Sequence, residues 1–193
     1  MRITEAKLCE VAEIISGTVE DKTTGRGQYE YRYLQPNSFD ENGDTGEFSK
    51  IYKDIPVPNS QKLALNDIVI KRLNPKYPFV VVSLPEPTLI SQNLFIIRPS
   101  TEIYAPYLAC LFEQAGVLSQ IEHLIGSMVA IKAISAKKLM GITIPLLAMD
   151  KQAILGNYWM LSKRRKQLLS QYIYENDRLL AIAADKLLNY GGK

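Results

Sequence analysis

The sequence predicts an α+β fold: an irregular, mostly antiparallel β unit with flanking helices, followed by one long C-terminal helix that forms a coiled coil. Between residues 29 and 98, short runs rich in β-branched and aromatic residues are bounded by Pro, Asn or Asp, which is typical of short strands joined by turns. From residue 151 to residue 190, apolar residues recur at steps of three and four, and no proline interrupts them. We therefore predict one domain over residues 1–149 and a long helix over residues 150–193.

The first half of the chain is predicted to consist of short strands after a brief helical start. Residues 8–15 place apolar side chains at helical spacing before a glycine, so a short N-terminal helix or turn is expected there. Tyr29, Tyr31 and Tyr33 alternate with other side chains, which predicts a strand. Aromatic stripes on strands pack in cores more often than they stack on bases, so we interpret these tyrosines as core residues. A tight turn is expected at the Asn-Gly pair of residues 42–43, and further strands at residues 68–73, 79–84, 94–98 and 142–145.

Helices are predicted in the second half of the chain. An amphipathic helix is expected over residues 105–124, with Pro106 in its first turn. Ser135 is a candidate cap for a short helical turn, and Asp150 is a candidate cap for the long helix. A helix of 40 residues would be about 60 Å long, whereas a domain of about 150 residues has a radius of gyration of about 15 Å. Part of this helix must therefore project from the domain, unless a bend at Gly156 lets it fold back.

The long helix carries a seam that is typical of coiled coils. The predicted seam consists of Ile154, Tyr158, Leu161, Arg165, Leu168, Tyr172, Asn176, Leu179, Ala183 and Leu187. Polar seam residues such as Arg165 and Asn176 commonly determine the register of the helices rather than their stability. We expect the seam to be the interface of a homodimer, in which two antiparallel helices place identical domains at opposite ends.

Composition indicates a globular protein of the cytoplasm. The 193-residue chain is 47% hydrophobic and 22% charged, which allows a core and argues against disorder. The N-terminus lacks a signal-peptide pattern, and no apolar run is long enough to cross a membrane. Cys9 and Cys110 form no metal-binding or redox motif, and we interpret both as buried small hydrophobic residues.

The charge distribution allows a basic face. Residues 49–100 carry seven basic and three acidic side chains, a net charge of +4. Residues 123–148 carry three lysines and no acid, whereas residues 101–122 carry three acids and no base. Folding can bring the basic segments together on one surface that suits nucleic acid. A mixed, solvated surface is the alternative interpretation.

Short motifs over nearly the whole chain resemble the target-recognition domains of specificity subunits from bacterial type I restriction–modification systems. The stretches that carry the resemblance are Leu8–Gly17, Leu65–Ile70, Ile90–Leu94, Ile97–Pro99, Pro106–Leu108, Gly126–Ser127, Ile134–Leu139, Ile142–Leu146 and Asp150–Ile154. Each motif is weak alone, and it is their common order along the chain that makes the set specific. Cys9 and Asn66 stand where the family usually has glycine, and Leu147 stands where it has a second proline. We expect these departures to change turns locally and to leave the fold intact.

The resemblance implies a DNA-specificity subunit that has no catalytic centre of its own. Such a subunit recognises a bipartite site in double-stranded DNA and directs partner methyltransferase and restriction subunits to it. Family members usually carry two recognition domains and two long helices, whereas this chain has one of each, as in a natural half-subunit or a truncated product. A coiled-coil scaffold that does not bind DNA is the alternative function, and an enzyme that acts on nucleic acid is a third.

The residues themselves predict no catalytic centre, cofactor or metal site. Asn74-Pro75-Lys76-Tyr77 lacks the second proline of an amino-methyltransferase loop, and no glycine-rich cofactor turn accompanies it, so we interpret it as a loop between strands. The acid–x–Lys triplets at residues 5–7 and 20–22 lack the further carboxylate that a metal-dependent nuclease needs. The single histidine, His123, has no cysteine near it in sequence and no serine-nucleophile motif, which favours a half-buried or capping role.

The candidate DNA contacts are polar and basic side chains at strand ends and in loops. The amides of Gln92 and Asn93 can pair with adenine edges, and arginine can pair with guanine. Lysine ammonium groups are better suited to phosphate oxygens because they lack planar geometry. The predicted set is Lys71, Arg72, Gln92, Asn93, Arg98, Lys132, Lys137 and Lys138. For any single member, a solvated surface position is the alternative interpretation.

Overall fold

Nine strands, five α-helices and one short 3-10 helix, Asn59–Gln61, are present in the described part of the chain. The computed structural model describes residues 4–19, 27–41, 46, 48–83, 86–125 and 133–190. The strands are β1 Thr4–Lys7, β2 Ala12–Ser16, β3 Tyr29–Leu34, β4 Ser49–Lys53, β5 Ile68–Lys71, β6 Phe79–Val80, β7 Thr88–Ile90, β8 Leu94–Pro99 and β9 Thr143–Leu146. The helices are α1 Leu8–Val11, α2 Ala105–Phe112, α3 Ala115–Ile125, α4 Ala136–Met140 and α5 Met149–Tyr190. The predicted α+β class with a long C-terminal helix is confirmed.

Most neighbouring strands are antiparallel. The order β2-β8-β5-β6 forms one sheet, with Ile14 opposite Ile97 and Ile97 opposite Ile68. The order β4-β3-β7 forms a second sheet, in which β3 and β7 are parallel and Leu34 lies opposite Ile90. β1 and β9 form a separate antiparallel pair. Parallel neighbours end at the same edge of a sheet, so the turns that follow β3 and β7 lie side by side.

The central strands β5 and β8 are buried on both faces. Ile68 and Ile70 belong to the main core, which also contains the buried side chains of α1 and α2, whereas Val69 belongs to a second cluster. Phe95 and Ile96 divide between the same two clusters on β8. Successive side chains of a strand point to opposite faces, so burial on both faces produces the continuous apolar runs of these two strands.

The N-terminal helix is shorter than predicted. Helix α1 ends at Val11, and the Lys7 N–H donates to the Glu10 carboxylate at 2.8 Å at its start. The chain then extends as β2, in which Ile14 and Ile15 pair with β8. The prediction of helix or turn through residue 15 is therefore wrong for its second half, because pairing with a central strand outweighs local apolar spacing.

The helix predicted over residues 105–124 is divided into α2 and α3. Helix α2 ends at Phe112, and α3 begins at Ala115. Glu113 lies at the break, where its carboxylate accepts a hydrogen bond from Trp159 Nε1 at 2.9 Å and forms an ion pair with Lys163. Both partners belong to α5. A tertiary contact thus accompanies the interruption, which apolar spacing along the chain does not reveal.

Two predicted helix starts agree with the structure, and the start of the long helix lies two residues earlier than predicted. Pro106 lies in the first turn of α2, and Ser135 Oγ accepts the N–H of Lys138 at 3.3 Å at the start of α4. Helix α5 begins at Met149, so Asp150 lies in its first turn rather than capping it. An acidic side chain in the first turn still interacts favourably with the helix dipole. The predicted Asn-Gly turn at residues 42–43 lies outside the described residues.

Two of the three tyrosines on β3 are buried, as predicted. Tyr31 and Tyr33 lie in the core, whereas Tyr29 at the start of the strand is 37% exposed. The Tyr31 hydroxyl accepts the N–H of Val57 at 2.9 Å, and the Tyr33 hydroxyl donates to the carbonyl of Thr18 at 3.0 Å. Each buried phenol therefore has a hydrogen-bond partner, which lets an aromatic side chain with a polar end occupy the core.

The two cysteines differ in exposure. Cys110 is buried in α2, whereas Cys9 is exposed on α1, so the expectation that both are buried is wrong for Cys9. Burial raises the pKa of the Cys110 thiol, which disfavours the reactive thiolate.

We expect a disulfide reagent such as DTNB to modify Cys9 rapidly in the folded chain and Cys110 only after unfolding, because only Cys9 is accessible. The released chromophore gives the number of thiols in each phase. Cys9→Ser should remove the fast phase. Rapid reaction of both thiols without denaturant would contradict the burial of Cys110.

One departure from the resembled family has a clear backbone reason. Asn66 has a φ of 67°, a left-handed conformation that glycine adopts freely and that asparagine tolerates better than most residues. Its N–H donates to the carbonyl of Val81 at 2.9 Å. Asparagine therefore occupies a turn for which glycine is the usual residue of the family, and the turn keeps its hydrogen bond.

The first four turns of α5 pack against the domain. The anchoring residues, which are all buried, are Gln152, Gly156, Trp159 and Lys163. Gln152 Oε1 accepts the N–H of Tyr104 at 2.9 Å. A Cβ at position 156 would lie 2.7 Å from the backbone nitrogen of Tyr107, so the close contact with α2 requires glycine there. Gly156 therefore serves close packing, and α5 continues through it without interruption.

The remainder of α5 projects as an arm, which we define as residues 164–188. The helix has 42 residues and a length of about 63 Å. Every side chain from residue 168 to residue 188 is exposed. The alternative in which the helix bends at Gly156 and folds back over its own domain is therefore wrong.

Candidate nucleic-acid interface

Four of the predicted DNA contacts lie together at one end of the central sheet. Strands β5 and β8 are antiparallel with Lys71 opposite Leu94, so the end of one strand meets the start of the other. The Arg72 N–H donates to the carbonyl of Asn93 at 2.9 Å, and Arg72 Nη1 donates to the carbonyl of Gln92 at 3.1 Å. We call Lys71, Arg72, Gln92 and Asn93 the strand-end cluster. The four residues are thus neighbours, although about 20 positions separate the two pairs in sequence.

The two cations of the strand-end cluster are half-buried and held by aromatic rings. Lys71 Nζ donates to the carbonyl of Phe39 at 3.1 Å and lies 4.7 Å from the centre of that ring. The Arg72 guanidinium carbon lies 5.2 Å from the centre of the Phe95 ring. Cation–π contacts fix a charge in place without using its N–H donors. Lysine has three such donors and arginine five, so both side chains keep donors that these contacts do not use.

A turn that the sequence prediction missed lies beside the cluster. The Ser91 N–H donates to the carbonyl of Leu34 at 2.9 Å, which brings residues 35–38 next to residues 91–93. Asn37 is the exposed corner of this turn. The Pro-Asn pair at residues 36–37 is a turn signal and could have marked the site, but only the parallel pairing of β3 and β7 brings it to Gln92.

Close backbone packing holds these turns together at Gly17. A Cβ at this position would lie 2.0 Å from the carbonyl oxygen of Ser91, so only glycine fits. The neighbouring residue Thr18 forms a parallel bridge with Ser91 and accepts the N–H of Gln92 at 2.9 Å. The predicted role of Gly17 as the stop of the N-terminal helix is wrong, because α1 ends at Val11; Gly17 follows β2 and serves close packing next to the strand-end cluster.

Arg98 is placed at the other end of β8, where protein groups occupy its donors. Its Nε and Nη2 each donate to the Asp67 carboxylate at 2.8 Å, and Asp67 is 1% exposed. The same guanidinium donates to the carbonyls of Ser60 and Lys62 at 3.0 and 2.8 Å. Hydrogen bonding to Asp67 raises the pKa of Arg98. The arrangement supports the 60–67 loop, and we do not include Arg98 in the strand-end cluster.

The three remaining predicted lysines belong to the segment around α4. Lys137 is exposed on α4, and Lys138 Nζ donates to the carbonyl of Leu124 at 2.6 Å, near the end of α3. Lys132 lies outside the described residues. The segment that leads into α4 joins the cluster through the backbone, since the Ile134 N–H donates to the carbonyl of Arg72 at 3.0 Å.

The described residues provide no metal centre. Within the described ranges, no group of three His, Cys, Asp or Glu side chains is arranged to hold a metal ion. His123, in the last turn of α3, is exposed. Among the helices of the described chain, none combines the length and apolar character needed to cross a membrane.

The seam of α5 is a second candidate interaction surface. All ten residues of the predicted seam are exposed, and Leu161, Leu168 and Leu179 are 69%, 50% and 63% exposed. The first seam residue, Ile154, follows the first anchoring residue, Gln152, by two positions. Two positions correspond to a rotation of about 200° around the helix axis. The domain therefore covers one side of α5, and the seam faces away from it.

Solved structures with a similar fold include S subunits of type I restriction–modification systems. One is a chain from the structure entitled "Structural basis underlying complex assembly and conformational transition of the type I R-M system", with a TM-score of 0.62 and 21% identity over 92% of this chain and 42% of that chain. The HsdS subunit from Thermoanaerobacter tengcongensis has a TM-score of 0.60 and 19% identity over 88% of this chain and 39% of its own. The type I S subunit from M. genitalium has a TM-score of 0.61 and 16% identity over 93% of this chain and 44% of its own.

The likeness to these structures establishes the fold. No protein-family model matches the chain, and no curated protein matches it in sequence. The chain spans between 39% and 44% of the length of the solved chains described above. It has the fold of type I specificity subunits, which confirms the fold that the sequence resemblance implied.

Proposed function

We propose that this chain is a sequence-specific DNA-binding module of a cytoplasmic type I restriction–modification complex. In this role it binds double-stranded DNA and directs partner methyltransferase and restriction subunits to a site, without a catalytic centre of its own. The observation that carries the proposal is the strand-end cluster, two cations and two amides at one edge of a fold that is shared with specificity subunits. Cations supply affinity for phosphates, and amides supply contacts to base edges.

Replacing Lys71 and Arg72 by Gln should weaken DNA binding and flatten its dependence on salt. Each phosphate contact that is lost should reduce the slope of log K against log salt concentration by about 0.9, so the double variant should lose up to about 1.8. Fluorescence anisotropy with a labelled duplex over a range of salt concentrations measures both quantities. Circular dichroism and thermal melting show whether the variant is folded.

The matched control neutralises two cations on the arm, Lys166→Gln and Lys186→Gln. Both side chains are exposed on α5. We expect the control to retain the salt slope of the unmodified chain. A folded Lys71/Arg72 variant with unchanged affinity and slope would exclude these cations from the DNA interface. An unmodified chain that does not bind DNA at all would favour the scaffold function, which the exposed arm also supports.

The purified chain should neither methylate nor cleave DNA. The motivation is the Asn74–Tyr77 loop without its second proline, the missing cofactor turn, and the single histidine. Transfer of label from S-adenosylmethionine and cleavage of plasmid with Mg²⁺ measure the two activities. Either activity in the chain alone, abolished by a point substitution within it, would show that the chain is an enzyme.

We further propose that the chain acts as a homodimer through the seam of α5. Exposure of the large apolar seam residues supports this proposal, since contiguous exposed apolar surface marks interaction sites. Two-fold symmetry with antiparallel helices would place identical domains at the two ends of the pair. The DNA site would then consist of two identical half-sites in inverted order, with a spacing that the helix length determines.

A further inference from the structure

We propose that Asn37, Gln92 and Asn93 form a base-reading site that selects an adenine–thymine pair in the major groove of bound DNA. We call these three residues the amide site. The proposal depends on the DNA binding proposed above and extends it, because it adds Asn37, identifies the groups that read sequence, and names the base pair that they prefer.

Two neighbouring turns carry the amide site. Strands β3 and β7 are parallel, with Leu34 opposite Ile90, and each leads directly into a polar turn. The Ser91 N–H donates to the carbonyl of Leu34 at 2.9 Å and ties the second turn to the end of the first strand. The residues before both turns are buried, with Leu34 0% and Ile90 1% exposed. A rigid core thus supports both turns from below.

The first turn holds Asn37 at its corner. The Ser38 N–H donates to the carbonyl of Gln35 at 2.9 Å, and the Gln35 N–H donates to Ser38 Oγ at 3.0 Å. Pro36 fixes its own φ near −65°, the value that the second residue of such a turn requires. Ser38 is buried whereas Asn37 is exposed. The backbone beneath Asn37 is therefore ordered before any ligand binds.

The second turn holds Gln92 and Asn93 at its two corners. The Leu94 N–H donates to the carbonyl of Ser91 at 2.8 Å, and the Asn93 N–H donates to Ser91 Oγ at 3.3 Å. Contacts with Thr18 and Arg72 occupy the backbone N–H and carbonyl of Gln92. The backbone of this turn is saturated with hydrogen bonds, and both amide side chains are exposed.

The amide side chains of this site differ from other amides of the protein. Within the described ranges, the side chains of Asn37, Gln92 and Asn93 have no hydrogen-bond partner, whereas those of Gln120 and Gln152 each bond two or more backbone groups. The two turns and the side chains of Val19 and Tyr33 line a shared surface hollow. Turn propensity accounts for asparagine at a corner, but it does not account for three unused amides that face one hollow.

The chemistry of an amide favours adenine over the other bases. An amide offers one acceptor and two donors, which match the N6 donor and the N7 acceptor of adenine in a bidentate pair. Guanine presents two acceptors at the same edge, which leaves the amide carbonyl without a donor. Lys71 donates to the carbonyl of Phe39, which follows the first turn, and Arg72 donates to the carbonyl of Gln92 in the second turn. We assign phosphate binding to these two cations and base recognition to the amides.

The test is selection of bound duplexes from a random-sequence library, with the unmodified chain and with the triple variant Asn37→Ala, Gln92→Ala, Asn93→Ala. We expect the unmodified chain to select a motif with a fixed adenine–thymine pair. The variant should relax that position and bind the selected site about 5- to 150-fold more weakly for each bidentate pair that is lost. Affinity for unrelated duplexes and the salt slope should stay unchanged, because phosphate contacts are retained. Gln171→Ala, an exposed amide on the arm, is the matched control and should select the same motif.

A second part of the experiment changes a base of the DNA and requires no protein variant. Replacing the fixed adenine by 7-deazaadenine removes the N7 acceptor, and it should weaken binding by the unmodified chain but have no further effect on the triple variant. Selection of the same motif with the same stringency by a folded variant would overturn the amide site and leave DNA binding intact. A selected motif of guanine–cytosine pairs alone, or full tolerance of 7-deazaadenine, would overturn the choice of adenine. If the unmodified chain shows no sequence preference, both the amide site and the specificity function are wrong.

Discussion

Changing Leu168 and Leu179 together to Asp should convert the chain from a dimer into a folded monomer. Both leucines belong to the exposed seam, and neither contacts the domain, because every side chain from residue 168 to residue 188 is exposed. Burial of four seam side chains, Leu161, Leu168, Tyr172 and Leu179, would contribute on the order of 6–10 kcal/mol before the entropy of association is subtracted. Two buried aspartates in each helix would abolish this gain, since an unpaired buried charge costs several kcal/mol.

Light scattering after size-exclusion chromatography measures the mass of each species. The matched control introduces the same number of aspartates on another side of the arm, with Ser170→Asp and Gln171→Asp, and it should remain a dimer. A seam worth about −8 kcal/mol corresponds to a dissociation constant of about 1 μM, so the unmodified chain should be dimeric at tens of micromolar. A monomer at that concentration would exclude the seam as a self-association surface. The Leu168/Leu179 variant should also lose cooperative binding to a duplex with two half-sites.

Changing Glu113 to Ala should lower the free energy of unfolding by about 3 kcal/mol. The Glu113–Lys163 ion pair lies at the base of α5, and the two side chains are only 19% and 10% exposed. Lys163 Nζ also donates to the carbonyl of Glu41 at 2.7 Å and lies near the rings of Tyr77 and Trp159. Removal of the carboxylate leaves a buried ammonium group without its counter-charge and Trp159 Nε1 without its acceptor, and breaking a buried pair in this way costs about 3–5 kcal/mol.

A double substitution and an exposed ion pair serve as controls for the buried pair. Glu113→Gln with Lys163→Met removes both charges and keeps an acceptor for Trp159, so the combined loss should be smaller than that of Glu113→Ala. The Glu175–Arg178 pair on the arm has an N–O distance of 3.1 Å and is exposed, so Glu175→Ala should change the free energy of unfolding by no more than about 0.5 kcal/mol. Urea unfolding measures all three values. Equally small losses in the free energy of unfolding for Glu113→Ala and Glu175→Ala would show that Lys163 is solvated.

Local sequence signals located those elements whose stability depends on neighbours in sequence. Pro106 and Ser135 identified helix starts, the tyrosine alternation identified β3, and the steps of three and four identified α5. The same signals failed for residues 12–16 and at Glu113. In both cases the deciding contact comes from a distant part of the chain, β8 for the first and α5 for the second.

In the candidate site too, local sequence identified some residues, whereas tertiary contacts alone determined the role of others. Residue chemistry was enough to nominate Lys71, Arg72, Gln92 and Asn93, because cations can bind phosphates and amides can bind base edges. It could not separate Arg98 from them, since the buried carboxylate of Asp67 that engages Arg98 lies 31 residues away. Asn37 carried no signal beyond that of an ordinary turn. Its position beside Gln92 depends on the parallel pairing of β3 with β7.

The sequence by itself determined the α+β class, the long C-terminal helix and its apolar seam. The spacing of apolar residues and the capping residues act locally, over one or two helical turns or a single strand. Only the tertiary structure decided which side of α5 the domain covers. The anchoring residues Gln152, Gly156, Trp159 and Lys163 are too mixed in polarity to form a recognisable stripe, and they are buried because Tyr104, Tyr107 and Glu113 supply their partners. A hydrogen bond or a close backbone contact needs partners from two segments of the chain, so the sequence of one segment alone does not predict it.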